Sequence, residues 1–165
     1  MSERTGAAGR AAATAAATLV GVAAVSLALL VAGMRWKLPA VLNAVRRLNR
    51  SVTNPRVMRT AGTAETQRSV IAHIGRKSGR SYETPIDIIE TSTGLLVALP
   101  YGTRTDWVRN VLDAGSATVV THGERVDVKS PNIVAISDVV GSIPRGTMRM
   151  LRLFGVSQCL HLEKS

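Results

Sequence analysis

The sequence predicts a mainly β, α+β protein, in which a small closed or split β-barrel with a few helices follows an N-terminal membrane helix. Three observations lead to this prediction. Residues 11–34 form a stretch of 24 residues without a charge. After Pro55 the apolar residues change from helical spacing to short runs of β-branched and aliphatic side chains, separated by turn residues. Two helical segments interrupt those runs, and together these patterns predict an α+β barrel.

The uncharged stretch is long enough to cross a membrane. At ~1.5 Å of rise per residue, a helix over residues 11–34 spans a hydrocarbon core of ~30 Å. Ten of its residues are alanine, and a cleaved signal peptide is the alternative interpretation. More cations follow the stretch than precede it, which predicts a single span in the cell membrane with the C-terminal domain in the cytoplasm.

The basic excess of the chain belongs to this N-terminal extension. Of the net charge of +10, residues 1–59 contribute nine Lys or Arg and one acid, whereas residues 60–165 hold twelve cations and ten acids. Nucleic-acid binding requires a basic face or arm that reaches phosphates, and an aromatic content of 3% offers few stacking platforms. The composition therefore argues against a nucleic-acid partner. The single cysteine, Cys159, excludes an intrachain disulfide.

We divide the chain into an extension, residues 1–50, and a barrel domain, residues 51–165. The extension ends in a basic amphipathic segment, because residues 38–55 place apolar side chains at helical spacing beside Arg46, Arg47 and Arg50. Two interpretations of this segment stay open. It lies on anionic lipid, or it packs on the domain.

Short strands and two helices make up the barrel domain. Strand patterns cover residues 69–75, 84–91, 95–101, 117–129 as a hairpin, 132–137 and 158–164. From them we expect a barrel of five to six short antiparallel strands. The first helix covers residues 105–115, with Thr105 as its N-cap and Gly115 as its stop. Its expected buried stripe consists of Trp107, Val108, Val111 and Leu112. The second helix covers residues 144–156, with Pro144 at its start.

A basic turn, "GRKSGR" at residues 75–80, is the first stretch that predicts chemistry. Glycine frees backbone N–H groups there, a serine supplies a hydroxyl, and three cations rise from the same place. Such a concavity suits a phosphate or a carboxylate. The alternative is a solvated basic turn, and the spacing is not that of a P-loop.

The second stretch is "LPYGTRTDWVRNV", residues 99–111, in which a strand end leads through a polar loop into a helix. Loops of this kind hold planar cofactors and their anionic tails, although packing and capping explain the same residues equally well. Other chemistry has little support. His73, His122 and His161 lack metal-ligand spacing and are interpreted as surface or half-buried strand residues, and no motif frames a nucleophilic serine. We therefore predict neither a metal site nor a catalytic side chain.

Read together, three stretches resemble the deazaflavin-dependent nitroreductase family, a branch of the flavin and deazaflavin oxidoreductases with an FMN-binding-like split β-barrel. They are "GRKSGRSYETPI" (75–86), "LPYGTRTDWVRNVLDAGSATV" (99–119) and "LRLFGVSQCLHL" (151–162). The resemblance covers roughly residues 55–163, and residues 1–50 lie outside it.

The resemblance implies binding of coenzyme F420, a 5-deazaflavin with a phosphodiester and an oligoglutamate tail. The residues that it assigns to the phosphate and tail are Gly75, Arg76, Lys77, Ser78 and Arg80. Those assigned to the border of the ring are Thr84 and Pro85, and those whose backbone contacts its edge are Leu99, Pro100, Tyr101 and Gly102. Residues assigned to support of the loop are Trp107, Arg109 and Asn110.

The implied reaction is hydride transfer from the reduced deazaflavin to an electron-poor acceptor such as a quinone, a nitroaromatic or an activated alkene. Nitro-reducing members place several tyrosines near the C-terminus, but Tyr82 and Tyr101 are the only tyrosines here. The C-terminal helix instead offers an apolar set, Met148, Met150, Leu151, Leu153 and Phe154, which favours a lipophilic acceptor. The alternatives are a membrane-associated protein that binds a lipid or fatty acid without catalysis, and an oxidoreductase that uses FMN. The resemblance also makes a homodimer possible.

Overall fold

The computed structural model describes residues 3–165, with side chains from residue 17 onward. The helices are α1 (Glu3–Arg35), α2 (Pro39–Leu48), α3 (Asn54–Val57), α4 (Asp106–Ala114) and α5 (Arg145–Leu153). A π-helical turn (Asn49–Thr53) joins α2 to α3, and a 3-10 segment (Ile136–Ser142) precedes α5. The strands are β1 (Ser69–Ile74), β2 (Ser81–Ile86), β3 (Ile88–Thr91), β4 (Gly94–Ala98), β5 (Ser116–Thr121), β6 (Glu124–Ala135) and β7 (Gln158–Lys164).

The strands form one antiparallel sheet in the order β2-β1-β5-β6-β7-β4-β3. The two outermost strands, β2 and β3, are separated in sequence by Asp87 alone. Because consecutive Cα atoms are only ~3.8 Å apart, the two outer edges must meet at this residue and the sheet must curl round on itself. The split-barrel, α+β fold predicted from the sequence is thereby confirmed.

The predicted single strand over residues 84–91 is wrong. It consists of β2 and β3, which pair with different partners: Ile86 lies opposite Ser69 of β1, and Ile88 lies opposite Val97 of β4. The separate strand predicted over residues 132–137 is also wrong, because residues 132–135 are the end of β6, and the described residues contain seven strands rather than five to six. The run of β-forming residues continues through the break, so local sequence alone does not reveal the change of partner.

The hairpin between β3 and β4 depends on a glycine. Gly94 lies against β7, where an added Cβ would come within 2.1 Å of the Leu162 carbonyl oxygen, and its φ is +142°. Only glycine allows this approach of two backbones.

Two apolar cores lie on opposite faces of the sheet. Along β4, Leu95 and Val97 point into the barrel, where Val108 and Val111 of α4 cover them. The intervening Leu96 points outward and packs beneath α5. The same alternation places Cys159 of β7 in the outer core, fully buried, as expected for a core residue. Helices α4 and α5 therefore cover opposite faces of the sheet.

The structure corrects one detail of α4. Thr105 occupies the N-cap position, although its hydroxyl makes no capping hydrogen bond, and Gly115 ends the helix with a φ of +70°, as predicted. Leu112, however, is 37% exposed and lies outside the buried stripe. The buried polar residue Asn110 lies on the inner side instead.

The N-terminal region has two parts. In α1, residues Ala17–Arg35 are long and apolar enough to cross a membrane, with a mean hydropathy of 2.3, and most of their surface is exposed. The segment around α2 contacts the barrel domain, because the side chains of Lys37 and Arg46 donate hydrogen bonds to the strand-end loop. These contacts favour packing of the amphipathic segment on the domain. The division of the chain at residue 50 stays a prediction.

Candidate functional site

The basic turn, residues 75–80, closes the hairpin between β1 and β2. The Gly75 N–H donates to the Arg80 carbonyl at 2.8 Å, and the Gly79 N–H donates to the Gly75 carbonyl at 2.8 Å. Gly79 has a φ of +65°, which few other residues adopt without strain. The side chains of Lys77 and Arg80 are exposed, and neither forms a side-chain hydrogen bond or ion pair with the residues from 17 to 165. The turn therefore presents two cations to solvent.

The third cation of the turn, Arg76, has an internal role. Its guanidinium donates to the Asn110 Oδ1 at 2.7 Å and to an Asp106 carboxylate oxygen at 3.0 Å. Its backbone N–H also donates to the Asn110 Oδ1, at 3.2 Å. Only 15% of its side chain is exposed. Arg76 thus fixes the turn to α4, a contact that the local sequence does not predict.

Beneath the turn, His73 continues the same network. Its Nδ1 lies 3.3 Å from the Asn110 Nδ2, and its Nε2 lies 3.2 Å from the Thr84 Oγ1. An amide nitrogen only donates, so Nδ1 accepts and the proton of the neutral ring is on Nε2. The ring also stacks on Tyr82, with centroids 6.0 Å apart.

Burial determines the charge of this histidine. His73 is 5% exposed, and the loss of solvent lowers the pKa of its imidazole. The interpretation of His73 as a surface or half-buried strand residue is therefore wrong. Strand β1 is buried because β2 and β5 pair with it on either side and α4 covers it.

The strand-end loop, residues 99–105, receives its contacts from the basic segment of the extension. The Lys37 Nζ donates to the Pro100 carbonyl at 3.0 Å, and the Arg46 Nη2 donates to the Tyr101 carbonyl at 2.6 Å. The Asn49 Nδ2 donates to the Tyr101 hydroxyl oxygen at 2.6 Å. None of these three donors was predicted as a site residue, because their segment was assigned to the membrane surface or to packing on the domain.

The contacts also set the environment of two titratable groups. Burial raises the pKa of the Tyr101 hydroxyl, while the hydrogen bond from Asn49 and the charges of Arg46 and Arg68 oppose that shift. Burial lowers the pKa of the Lys37 ammonium. Within the loop, the Leu99 N–H donates to the Gln158 carbonyl at 3.1 Å and the Gly102 N–H donates to the Leu99 carbonyl at 2.9 Å. The loop is therefore fixed by its own backbone hydrogen bonds and by the side chains of Lys37, Arg46 and Asn49.

The residues that the resemblance assigns to a cofactor fall into two groups. The first group is connected by hydrogen bonds through Asn110 and His73 and consists of Arg76, Thr84 and Asn110. Pro85 adjoins it on β2, while Trp107 is half-buried against the barrel core and Arg109 is exposed. The second group is the loop, residues 99–102, which leads into α4. Helix α4 is the element common to both groups.

Residues 17–165 contain no cluster of three or more His, Cys, Asp or Glu side chains that could hold a metal ion. The buried thiol of Cys159 has its pKa raised to about 11 by desolvation, which keeps it protonated and poorly nucleophilic at neutral pH. The described side chains thus offer hydrogen-bond donors and positive charge, and the arrangement suits binding of an anionic ligand.

Comparison with known proteins gives similarity of fold only. No family model and no curated protein matches the sequence. Among solved structures, an F420 reductase has 8% identity and a TM-score of 0.42, over 60% of this chain and 86% of that one. An F420-H2 dependent reductase, FDR-A, has 13% identity and a TM-score of 0.40, over 59% and 94%. A protein described as a domain-swapped dimer has 13% identity and a TM-score of 0.46, over 73% and 98%. At these values, the similarities carry no argument about activity or assembly.

Proposed function

We propose that this chain is a membrane-associated oxidoreductase that transfers hydride from reduced coenzyme F420 to an electron-poor, lipophilic acceptor. The observation that carries the proposal is the pair of exposed cations, Lys77 and Arg80, on a turn that Arg76 fixes to α4. A turn that only reverses the chain needs no such pair. A polyanionic cofactor tail explains the two exposed cations, because it would form charge-assisted hydrogen bonds with both of them.

The donors of the turn fit the anionic part of this cofactor. Lys77 and Arg80 supply charge, and the Ser78 hydroxyl, 3.1 Å from the Tyr82 hydroxyl oxygen, supplies a further polar group. An added Cβ at Gly79 meets nothing within 4 Å, so the outer side of the turn is open. Gly75 lies within the turn, whereas Thr84 and Pro85 lie further along β2, opposite Ile71 and Val70, and their proposed roles at the border of the ring rest on the resemblance.

The bound deazaflavin would supply the hydride chemistry itself, and the chain would bind and orient it. In this proposal Arg76, Asn110 and His73 keep the turn and β2 in one position relative to α4. Lys37, Arg46 and Asn49 hold the loop, residues 99–102, against the edge of the ring. Fixed donors of this kind lower the entropic cost of reaching the reactive arrangement.

A lipophilic acceptor suits the apolar surface of α1. Its segment Ala17–Arg35 would keep the barrel beside the bilayer, where membrane-soluble quinones partition. The cytoplasmic location of the barrel and a homodimeric assembly are further parts of this proposal.

Equilibrium titration of the full chain in detergent micelles tests the proposal. Oxidised F420, FMN and a long-chain fatty acid are titrated in parallel, against the wild type and a variant with both Lys77→Ala and Arg80→Ala. Arg76 is left intact, because its removal would also release the turn from α4. The matched control carries Arg125→Ala and Lys129→Ala, two exposed cations on β6.

We expect tight F420 binding that weakens tenfold or more, at least ~1.4 kcal/mol, in the Lys77 and Arg80 variant and is unchanged in the control. Binding of FMN without binding of F420 would show that the cofactor is a flavin and would overturn the proposed use of F420. Fatty-acid binding without F420 or FMN would overturn the enzyme proposal and leave a lipid-binding barrel.

A further inference from the structure

Helix α5 has a solvent-facing apolar surface. Met148 and Leu151 are buried in the outer core, whereas Met150 is 61% exposed and Leu153 is 52% exposed. The side chains of Met150 and Leu153 therefore face solvent. Exposure of so much apolar area to water is unfavourable unless another surface covers it.

This surface is fixed beside the end of the apolar helix α1. The Arg35 Nη1 donates to the Arg152 carbonyl at 2.6 Å. At Gly155 the two backbones meet, since an added Cβ would lie 2.8 Å from the Arg35 carbonyl oxygen. Directly after Arg35, Trp36 is 70% exposed and Leu38 is 46% exposed. The C-terminal end of α5 therefore lies at the point where a membrane-crossing α1 would leave the bilayer.

The charges of α5 and of the segment that follows α1 have one sign. Helix α5 contains Arg145, Arg149 and Arg152, all exposed, and no acidic residue. Residues 35–59 contain seven Lys or Arg and no Asp or Glu. Exposed apolar side chains beside arginines are typical of helices that lie in a membrane interface, and anionic headgroups attract such cations.

We infer that the outer face of α5, together with Trp36 and Leu38, docks on the surface of an anionic bilayer. The inference rests on the membrane association in the proposed function and is independent of the cofactor. Two attachments, α1 and α5, then restrain the rotation of the barrel relative to the membrane. Because α4 covers the opposite face of the sheet, it points away from the surface that carries α5.

Fluorescence quenching by lipids tests this docking in the full chain. Single cysteines are introduced by Met150→Cys or Leu153→Cys and labelled with bimane. The chain is reconstituted in mixed phosphatidylcholine–phosphatidylglycerol vesicles that contain lipids with a nitroxide near the headgroup, which report on α5, or deep in the acyl chain, which report on Leu27. Leu27→Cys reports on membrane insertion of α1, and Leu112→Cys on α4 is the matched exposed control. The native Cys159 is fully buried, and labelling of the wild type measures its background.

We expect the labels at positions 150 and 153 to be quenched at least about twofold more than the label at 112, and less so in vesicles of phosphatidylcholine alone. Quenching at 27 without quenching at 150 or 153 would overturn the docking and leave α1 as the only membrane contact. Lack of quenching at 27 would overturn the membrane association itself. Protection from aqueous iodide at 150 without lipid quenching would assign this face to a second copy of the chain and overturn the docking.

Discussion

Two basic regions of the molecule carry the same kinds of side chain, lysine and arginine, but point them in opposite directions. In the basic segment of the extension, Lys37 and Arg46 point inward and donate to the carbonyls of Pro100 and Tyr101. In the basic turn, Lys77 and Arg80 point outward. The carbonyls of Pro100 and Tyr101 lie beyond the β4 ladder and need donors, whereas the hydrogen bonds of the turn's backbone are made within the turn or with Asn110 and need neither Lys77 nor Arg80. The number of cations in a sequence segment therefore does not show whether they serve the fold or a ligand.

Arg76 shows the same difference within the turn itself. It neighbours Lys77 in sequence, but its guanidinium contacts Asp106 and Asn110 and is largely buried. We expect substitutions at the inward cations and their partners to change stability, and substitutions at the outward cations to change ligand affinity. The predictions below test this division.

The largest effect on stability is expected for Asn110→Ala. The change removes the acceptor of the Arg76 N–H and of its guanidinium, together with the donor to His73. Because buried polar groups lose their partners, we expect the free energy of unfolding to fall by about 2–3 kcal/mol. Urea titration of the full chain in detergent, followed by tryptophan fluorescence, measures it.

Asn43→Ala on the exposed side of α2 is the matched control, with an expected change within about 0.5 kcal/mol. Equal unfolding midpoints for the two variants would show that Asn110 does not hold the turn to α4.

A smaller loss is expected for Arg46→Ala in the basic segment. The charged donor to the Tyr101 carbonyl disappears, which costs about 1–2 kcal/mol. The buried Arg46 Nε has no partner among the described residues, and its removal offsets part of this loss. Comparison with Arg47→Ala, an exposed neighbour, isolates the effect of the contact in the same urea titration. A larger loss for Arg47 than for Arg46 would contradict an inward role of Arg46.

The sequence predicts the fold well because most elements carry their own local determinants. Thr105 and Gly115 bound α4, and Gly94 marks the β3–β4 turn, so their limits are encoded within a few residues. The division of residues 84–91 at Asp87 has no such local determinant. It depends on which strands pair with β2 and β3, and that is a property of the closed sheet.

The candidate site divides in the same way. The basic turn and the strand-end loop are recognisable because glycine, proline and charge are concentrated there. Contacts that join distant segments are not: Lys37 lies 63 residues from Pro100, and Arg76 lies 34 residues from Asn110. His73 appears as a surface or half-buried strand residue until its strand is placed between β2 and β5. The donors that fix the site therefore become visible only in the folded chain.

The smallest effect on stability is expected from protonation of His73, the neutral imidazole beneath the basic turn. Burial lowers the pKa of His73 in the folded protein, whereas an unfolded chain titrates near ~6.5. As pH falls below that value, the unfolded state binds the proton first, so stability decreases until the pH reaches the folded-state pKa. Each unit of pKa difference is worth ~1.4 kcal/mol. Urea midpoints measured across this range should fall for the wild type and fall less steeply for His73→Gln, which keeps a polar side chain without a titrating ring. Parallel profiles for the two proteins would show that His73 is protonated as readily in the folded chain as in the unfolded one.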